Sequence, residues 1–193
     1  MLRKLYEKTM ALAHHKRAKS MLAAVSFAES SFFPIPPDVM LIPMILERRD
    51  KALQLAAICT IASVLGGLAG YLIGALLWDT IGQPIIGFYG YEAAFEKFQL
   101  GFVEYGGLLV FLFGLTFFPY KVITIASGVV GLNPVVFIVA SIAARLPRFF
   151  VEALLLKYYG APIKEFIDKR LTLVTSVVGF LLVGGFIAIK FLV

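Results

Sequence analysis

Six ionisable residues sit where ionisable residues are costly. Glu29, Asp38, Lys121, Arg145, Arg148 and Glu152 all fall inside apolar stretches of the chain. At the centre of a membrane helix, an unpaired charge of this kind costs roughly 2.5–3.5 kcal/mol. Three are acidic and three basic, so the set can neutralise itself. Arg145, Arg148 and Glu152 are spaced i, i+3, i+7 and share one helix face. Pro147 lies among them and is expected to kink that helix and open carbonyls toward the same cavity. Two arginines beside Lys121 suit a phosphate group, because a guanidinium bonds phosphate oxygens in pairs. Glu29, Asp38 and Glu152 suit proton or charge coupling. Two blander readings stand beside these. Asp38 follows Pro37 and could cap a helix, and the whole set could be an ion-pair network that only locks the structure.

The elements that must position these groups are broken. Residues 28–38, Ala-Glu-Ser-Ser-Phe-Phe-Pro-Ile-Pro-Pro-Asp, hold Glu29, Asp38 and the prolines Pro34, Pro36 and Pro37. Proline removes a backbone donor and collides with the preceding turn, so no straight helix runs through them. Met21–Leu46 therefore reads as a re-entrant hairpin: a half-helix in, a turn, a half-helix out. A second break lies at Pro119, inside Gly107–Leu132, with Lys121 just beyond. Paired interrupted apolar segments point to the binding site of a transporter. Ala52–Trp78 runs 27 residues without a charge, long enough to span. Its Gly66, Gly70 and Gly74 make a small-residue face for close helix packing.

Composition fixes the class. The chain has 193 residues, 60% of them hydrophobic and only 16% charged, with mean hydropathy +0.90. That describes an integral membrane protein. The net charge of +6 does not point to nucleic acid, because the basic residues cluster at the ends of apolar segments. Residues 1–20 carry six Lys/Arg among apolar residues at helical spacing, as in a basic amphipathic helix on an anionic leaflet. No cleavable signal peptide is read there. Cys59 stands alone, and His14-His15 point to different helix faces, so neither suggests a metal site. No nucleophile–base pair appears, so an enzyme is not expected, nor a cofactor.

The chain then divides into two like halves. Residues 1–78 read as surface helix, hairpin and spanning helix. Residues 79–159 repeat the order: an interfacial helix around Tyr91–Phe98 within Asp79–Gly106, the hairpin Gly107–Leu132, and the spanning helix Val135–Tyr159. Gly160–Arg170 links to a final spanning helix, Leu171–Val193. If each hairpin returns to its own side, each half crosses once and the repeats are inverted. The expected fold is an all-α integral membrane domain of two inverted repeats plus a C-terminal transmembrane helix. Positive charge on residues 1–20 and 47–51 places the N-terminus in the cytoplasm. The opposite side would hold Asp79, Glu92, Glu96 and Glu104 against Lys97.

These residues resemble the DedA family, also called SNARE-associated or VTT-domain membrane proteins. The likeness covers about residues 20–160 and rests on several pieces in order: Glu29 with Pro34-Ile35-Pro36-Pro37-Asp38, Gly66 and Gly70-Tyr71 and Gly74, Phe113-Gly114, Phe117-Phe118-Pro119, Ala126-Ser127-Gly128, and Arg145 with Arg148-Phe149. The resemblance implies two membrane hairpins and lipid transport in a bacterial inner membrane. Bacterial members are linked to flipping undecaprenyl phosphate or phosphatidylethanolamine, and eukaryotic ones are phospholipid scramblases. Proton coupling is proposed for some. The chain departs from the Arg-Phe-x-Pro-Gly pattern of many bacterial members: Thr116 stands at the arginine, Tyr120 at the glycine, and Lys121 stands in for a following arginine.

Three functions follow as expectations. The first is a flippase or scramblase for an anionic lipid headgroup, with Arg145, Arg148 and Lys121 on phosphate. The second is a proton-coupled small-ion transporter using the same carboxylates. The third is a membrane scaffold that transports nothing, its glycine face and basic helix binding partners.

Overall fold

The computed structural model describes residues 17–32, 36–90, 92–116, 119–160 and 162. The expected N-terminal amphipathic helix (apart from its last residues), Pro34, and the expected final helix Leu171–Val193 lie outside these residues. Among the described residues there are helices and no strands. In chain order they are α1 (Ala18–Ser31), α2 (Asp38–Glu47), α3 (Ala52–Leu77), α4 (Gln83–Tyr89), α5 (Glu92–Leu115) and α6 (Tyr120–Val129). A last helix, α7, runs Pro134–Gly160.

Three stretches are long and apolar enough to cross a membrane: Arg49–Phe88, Phe95–Leu115 and Pro134–Gly160. The first is one continuous helical run of 40 residues. It begins as a 3-10 turn at Arg49–Lys51 and passes through a π-helical turn at Trp78–Gly82 into α4. α1 and α2 are shorter. At 1.5 Å per residue their 14 and 10 residues give roughly 21 and 15 Å. Neither matches a hydrocarbon core of about 30 Å.

α5 differs from the sequence reading. The expectation divided residues 91–115 into an interfacial helix and the first arm of a hairpin, parting at Gly106–Gly107. The structure joins them in one helix of 24 residues. No proline interrupts it, and both glycines have packing jobs. A side chain on Gly106 would strike Leu132, and one on Gly107 would strike Val136. Glu96, Lys97 and Glu104 are all exposed, and their spacing of seven and eight residues puts them on one stripe of a continuous helix. An arm of this length reaches across a bilayer core, where a half-depth arm was expected.

α3 is the spine. α1 packs along its first half and α6 along its second. Glycine sets how close they come. A methyl group on Gly66 would overlap the carbonyl oxygen of Phe27 in α1, and one on Gly74 would overlap that of Ile125 in α6. Gly128 returns the contact, its Cα facing the carbonyl of Tyr71.

Two apolar clusters result. One joins Leu22 of α1, Leu41 and Ile45 of α2, Leu55 and Cys59 of α3, and Phe149 and Ala153 of α7. The other joins Tyr71, Phe102, Val110, Tyr120, Ile123 and Phe137 from α3, α5, α6 and α7. Along α3 the buried Ser63 falls between Cys59 of the first cluster and Tyr71 of the second, and along α7 the buried Ser141 and Arg145 fall between Phe137 and Phe149.

Candidate functional site

Ser26, Ser30, Ser31, Ser63, Thr124, Ser141 and Arg145 are all buried. Their placement follows from helix periodicity. Ser26 and Ser30 are one turn apart on α1, facing α3. Ser26 donates to the Cys59 carbonyl at 2.8 Å. Ser31 donates to the Gly66 carbonyl at 2.8 Å. Ser30 and Ser63 share a hydrogen bond of 2.7 Å between their hydroxyls. Thr124 of α6 donates to the Ser30 carbonyl at 3.1 Å, tying α6 to the end of α1.

Two ion pairs bridge α7 to the α1–α2 arm. Arg145 Nη2 donates to Glu29 Oε2 at 3.1 Å. Arg148 Nη2 donates to Asp38 at 3.1 Å to Oδ2 and 3.4 Å to Oδ1. The pairs differ in solvation. Arg145 and Glu29 are 1% and 12% exposed, Arg148 and Asp38 15% and 22%. Removing ions from water is costly, so such pairs persist only when further hydrogen bonds or contacts complete the shell. Ser30 supplies one for Glu29, donating to Oε2 at 3.1 Å. Tyr120 supplies another for Arg145. Its ring centroid lies 4.0 Å from the guanidinium carbon, and its hydroxyl donates to Ser141. Phe149 flanks both arginines, at 5.7 Å from Arg145 and 5.2 Å from Arg148.

Asp38 had two roles open. It opens α2, but its side chain makes no capping bond there. The carboxylate is turned to Arg148 instead. Glu152 is half-buried one turn beyond Arg148, within the reach of both Asp38 and Arg148. Its Oε1 is buried without a hydrogen-bond partner among the described residues, as is Arg145 Nε.

So the structure brings together Glu29, Asp38, Arg145, Arg148 and Glu152. Lys121 is half-buried in the first turn of α6, next to Tyr120. Pro36 is exposed and Pro37 buried at the start of α2, and Pro119 caps α6. Thr116 is exposed, its hydroxyl 3.4 Å from the Phe113 carbonyl. α7 continues through Pro147 without interruption. Among the described residues no group of His, Cys, Asp and Glu could hold a metal ion.

Ser30, Ser63 and Ser141 were given no role from the sequence, and Tyr120 stood out there only as a departure from the family pattern. One signal was available: small hydroxyl residues recur every fourth position at Ser26 and Ser30, inside an apolar stretch that also carries a charge. Nothing local gave Tyr120 a role, since an aromatic residue opening an apolar helix is ordinary.

A model of the VTT domain matches residues 14–158 of this chain. A protein of Haemophilus influenzae, described as uncharacterized, is 38% identical over 184 residues, which is 95% of each chain. Another uncharacterized protein, from Histophilus somni, is 37% identical over 165 residues, covering 86% of this chain and 84% of its own. No solved structure matches.

Proposed function

Because the chain belongs to the VTT-domain, or DedA, family of membrane proteins, we propose that it carries the phosphate-bearing headgroup of an anionic lipid across a membrane. One observation carries the reading: α7 presents Arg145 and Arg148 to two carboxylates of the α1–α2 arm, the Arg145 side chain buried and the Arg148 pair partly exposed. Apolar packing is often as stable as a buried ion pair. Charges kept in apolar helices therefore suggest a polar cargo.

In this reading Arg145 and Arg148 hold phosphate oxygens, with Lys121 as a further cation at the start of α6. Glu29, Asp38 and Glu152 exchange charge or protons as the arm moves. The arm is re-entrant: α1 and α2 are each too short to span and share one support in α3. The second half is not a copy of it, because α5 is long enough to span. A bacterial inner membrane, with the N-terminus cytoplasmic, fits the nine Lys/Arg of residues 1–20 and 47–51.

The deciding experiment is headgroup translocation in proteoliposomes, across several phospholipids and a polyprenyl phosphate, with and without a pH gradient. Wild type should translocate, and Arg148→Ala should not while expressing normally. An Arg148→Ala protein that translocates like wild type removes Arg148 from the phosphate site.

The unpartnered Oε1 of Glu152 favours a second reading, a proton-coupled carrier of small cations. A pH-dependent cation flux indifferent to added lipid phosphate would support it over the first.

A further inference from the structure

Arg145 offers two parallel donors on one edge, Nε and Nη2, the kind of edge that grips an oxyanion with two hydrogen bonds. Glu29 uses half of it. Its Oε2 accepts from Nη2 at 3.1 Å, whereas Nε is buried with no hydrogen-bond partner among the described residues. Tyr120 covers a face, a contact that consumes no N–H donor. Nη2 also reaches the Ser30 hydroxyl at 3.4 Å. A side chain 1% exposed, with an unmet donor on its ligand-gripping edge, is unusual in a folded protein.

We infer that Glu29 is a built-in occupant of an oxyanion site on Arg145, and that a phosphate group takes its place by bonding Nε and Nη2 together. The inference rests on the reading of Arg145 as a phosphate ligand and deepens it. Three features support the exchange. Incoming phosphate gains one charge-assisted hydrogen bond that the carboxylate does not make. One anion replaces another, so Arg145 is never left as an uncompensated buried charge. Glu29 is also the outer partner, 12% exposed against 1%, so the carboxylate leaves outward along the path by which phosphate arrives. Glu29 sits in the last turn of α1, with Ser30 beside it still bonded to Ser63. Small movements at that helix end shift Glu29 without unpacking α1 from α3.

The test is calorimetric titration of the full-length protein in detergent. Inorganic phosphate and a short-chain phosphatidic acid are the probes, in separate experiments. Glu29→Gln removes the competing charge and keeps the shape. It should bind phosphatidic acid about tenfold more tightly than wild type, the worth of one hydrogen bond to a charged group. Arg145→Gln should bind neither probe. The same gain with inorganic phosphate assigns the site to the oxyanion alone, and a gain confined to phosphatidic acid assigns it to a lipid headgroup. Glu29→Asp, shortened but still charged, should fall between and guards against a misfolded Gln variant. Equal affinity in wild type and Glu29→Gln overturns the inference while leaving the phosphate reading intact. Weaker binding by both Glu29 variants overturns it too, because Glu29 would then be building the site rather than occupying it. If neither wild type nor Glu29→Gln binds either probe, the phosphate reading itself falls and takes this inference with it.

Discussion

The guanidinium of Arg145 lies 4.0 Å from the ring centroid of Tyr120. Tyr120 is fully buried and opens α6, so this contact couples α6 to α7 at the level of the ion pairs. A desolvated cation–π contact is worth about 2 kcal/mol or more. Tyr120→Phe keeps the ring and loses only the bond to Ser141, so it should cost about 1 kcal/mol. Tyr120→Leu also loses the cation–π term. A cycle of Tyr120→Leu with Arg145→Met, read by unfolding in mixed micelles, should show a coupling of about 2 kcal/mol. A coupling near zero would mean that ring and guanidinium are merely adjacent.

The two ion pairs should not be equally sensitive. Removing one partner of a buried pair strands the other and costs about 3–5 kcal/mol. Arg145–Glu29 is nearly dry, whereas Arg148–Asp38 keeps 15% and 22% of its side-chain surface exposed. Arg145→Gln should therefore destabilise near the top of that range, and Arg148→Gln by less, because Asp38 is the more exposed of the two acids. Adding Glu29→Gln to Arg145→Gln should restore part of the loss, since no charge is then stranded. Unfolding free energies of the four variants decide this. If Arg148→Gln proves the worse, exposure is not what sets the cost.

Which charges gather could be read in the sequence, because a charge in an apolar helix needs a partner at that cost. Glu29, Asp38, Arg145, Arg148 and Glu152 were all visible for that reason. Which acid meets which arginine was not visible, since the partners are 110 or more residues apart and only the packing of α1 and α2 on α3 aligns them. Tyr120 was hidden for a different reason. Its role depends on a residue of another helix, and nothing local requires it. The division of α5 went astray because Glu96, Lys97 and Glu104 suggested a membrane surface, although one exposed stripe of a long helix accommodates all three.

The shared hydroxyls of Ser30 and Ser63 tie α1 to α3 beside the Arg145 pair. Ser63→Ala leaves Ser30 its bond to Glu29, so the expected loss is small, about 1 kcal/mol. Ser30→Ala strips a hydrogen bond from Glu29 as well as from Ser63 and should cost about 1–3 kcal/mol. The same unfolding assay should rank them in that order. Equal losses would show that the Ser30–Glu29 bond contributes nothing to holding the carboxylate.

Glycine to alanine gives a contrast within one fold. In a helix interior, alanine is favoured over glycine by about 0.8–1.0 kcal/mol when nothing obstructs the methyl group. Gly101 of α5 meets nothing within 4 Å, so Gly101→Ala should stabilise the protein by up to that amount. At Gly66 the same methyl would overlap the backbone carbonyl of Phe27, and backbone cannot rotate aside as a side chain can. Gly66→Ala must push α1 away from α3, at the 1–3 kcal/mol typical of overpacking or about that, against the propensity gain. The displacement also lengthens the Ser31 bond to the Gly66 carbonyl and moves Glu29, two residues after Phe27 on α1, away from Arg145. Gly66→Ala should therefore lose both stability and headgroup translocation, although residue 66 touches neither arginine. If it keeps full translocation while losing stability, the depth at which α1 packs on α3 does not control the Glu29–Arg145 contact, and the arm finds its position by the ion pairs alone.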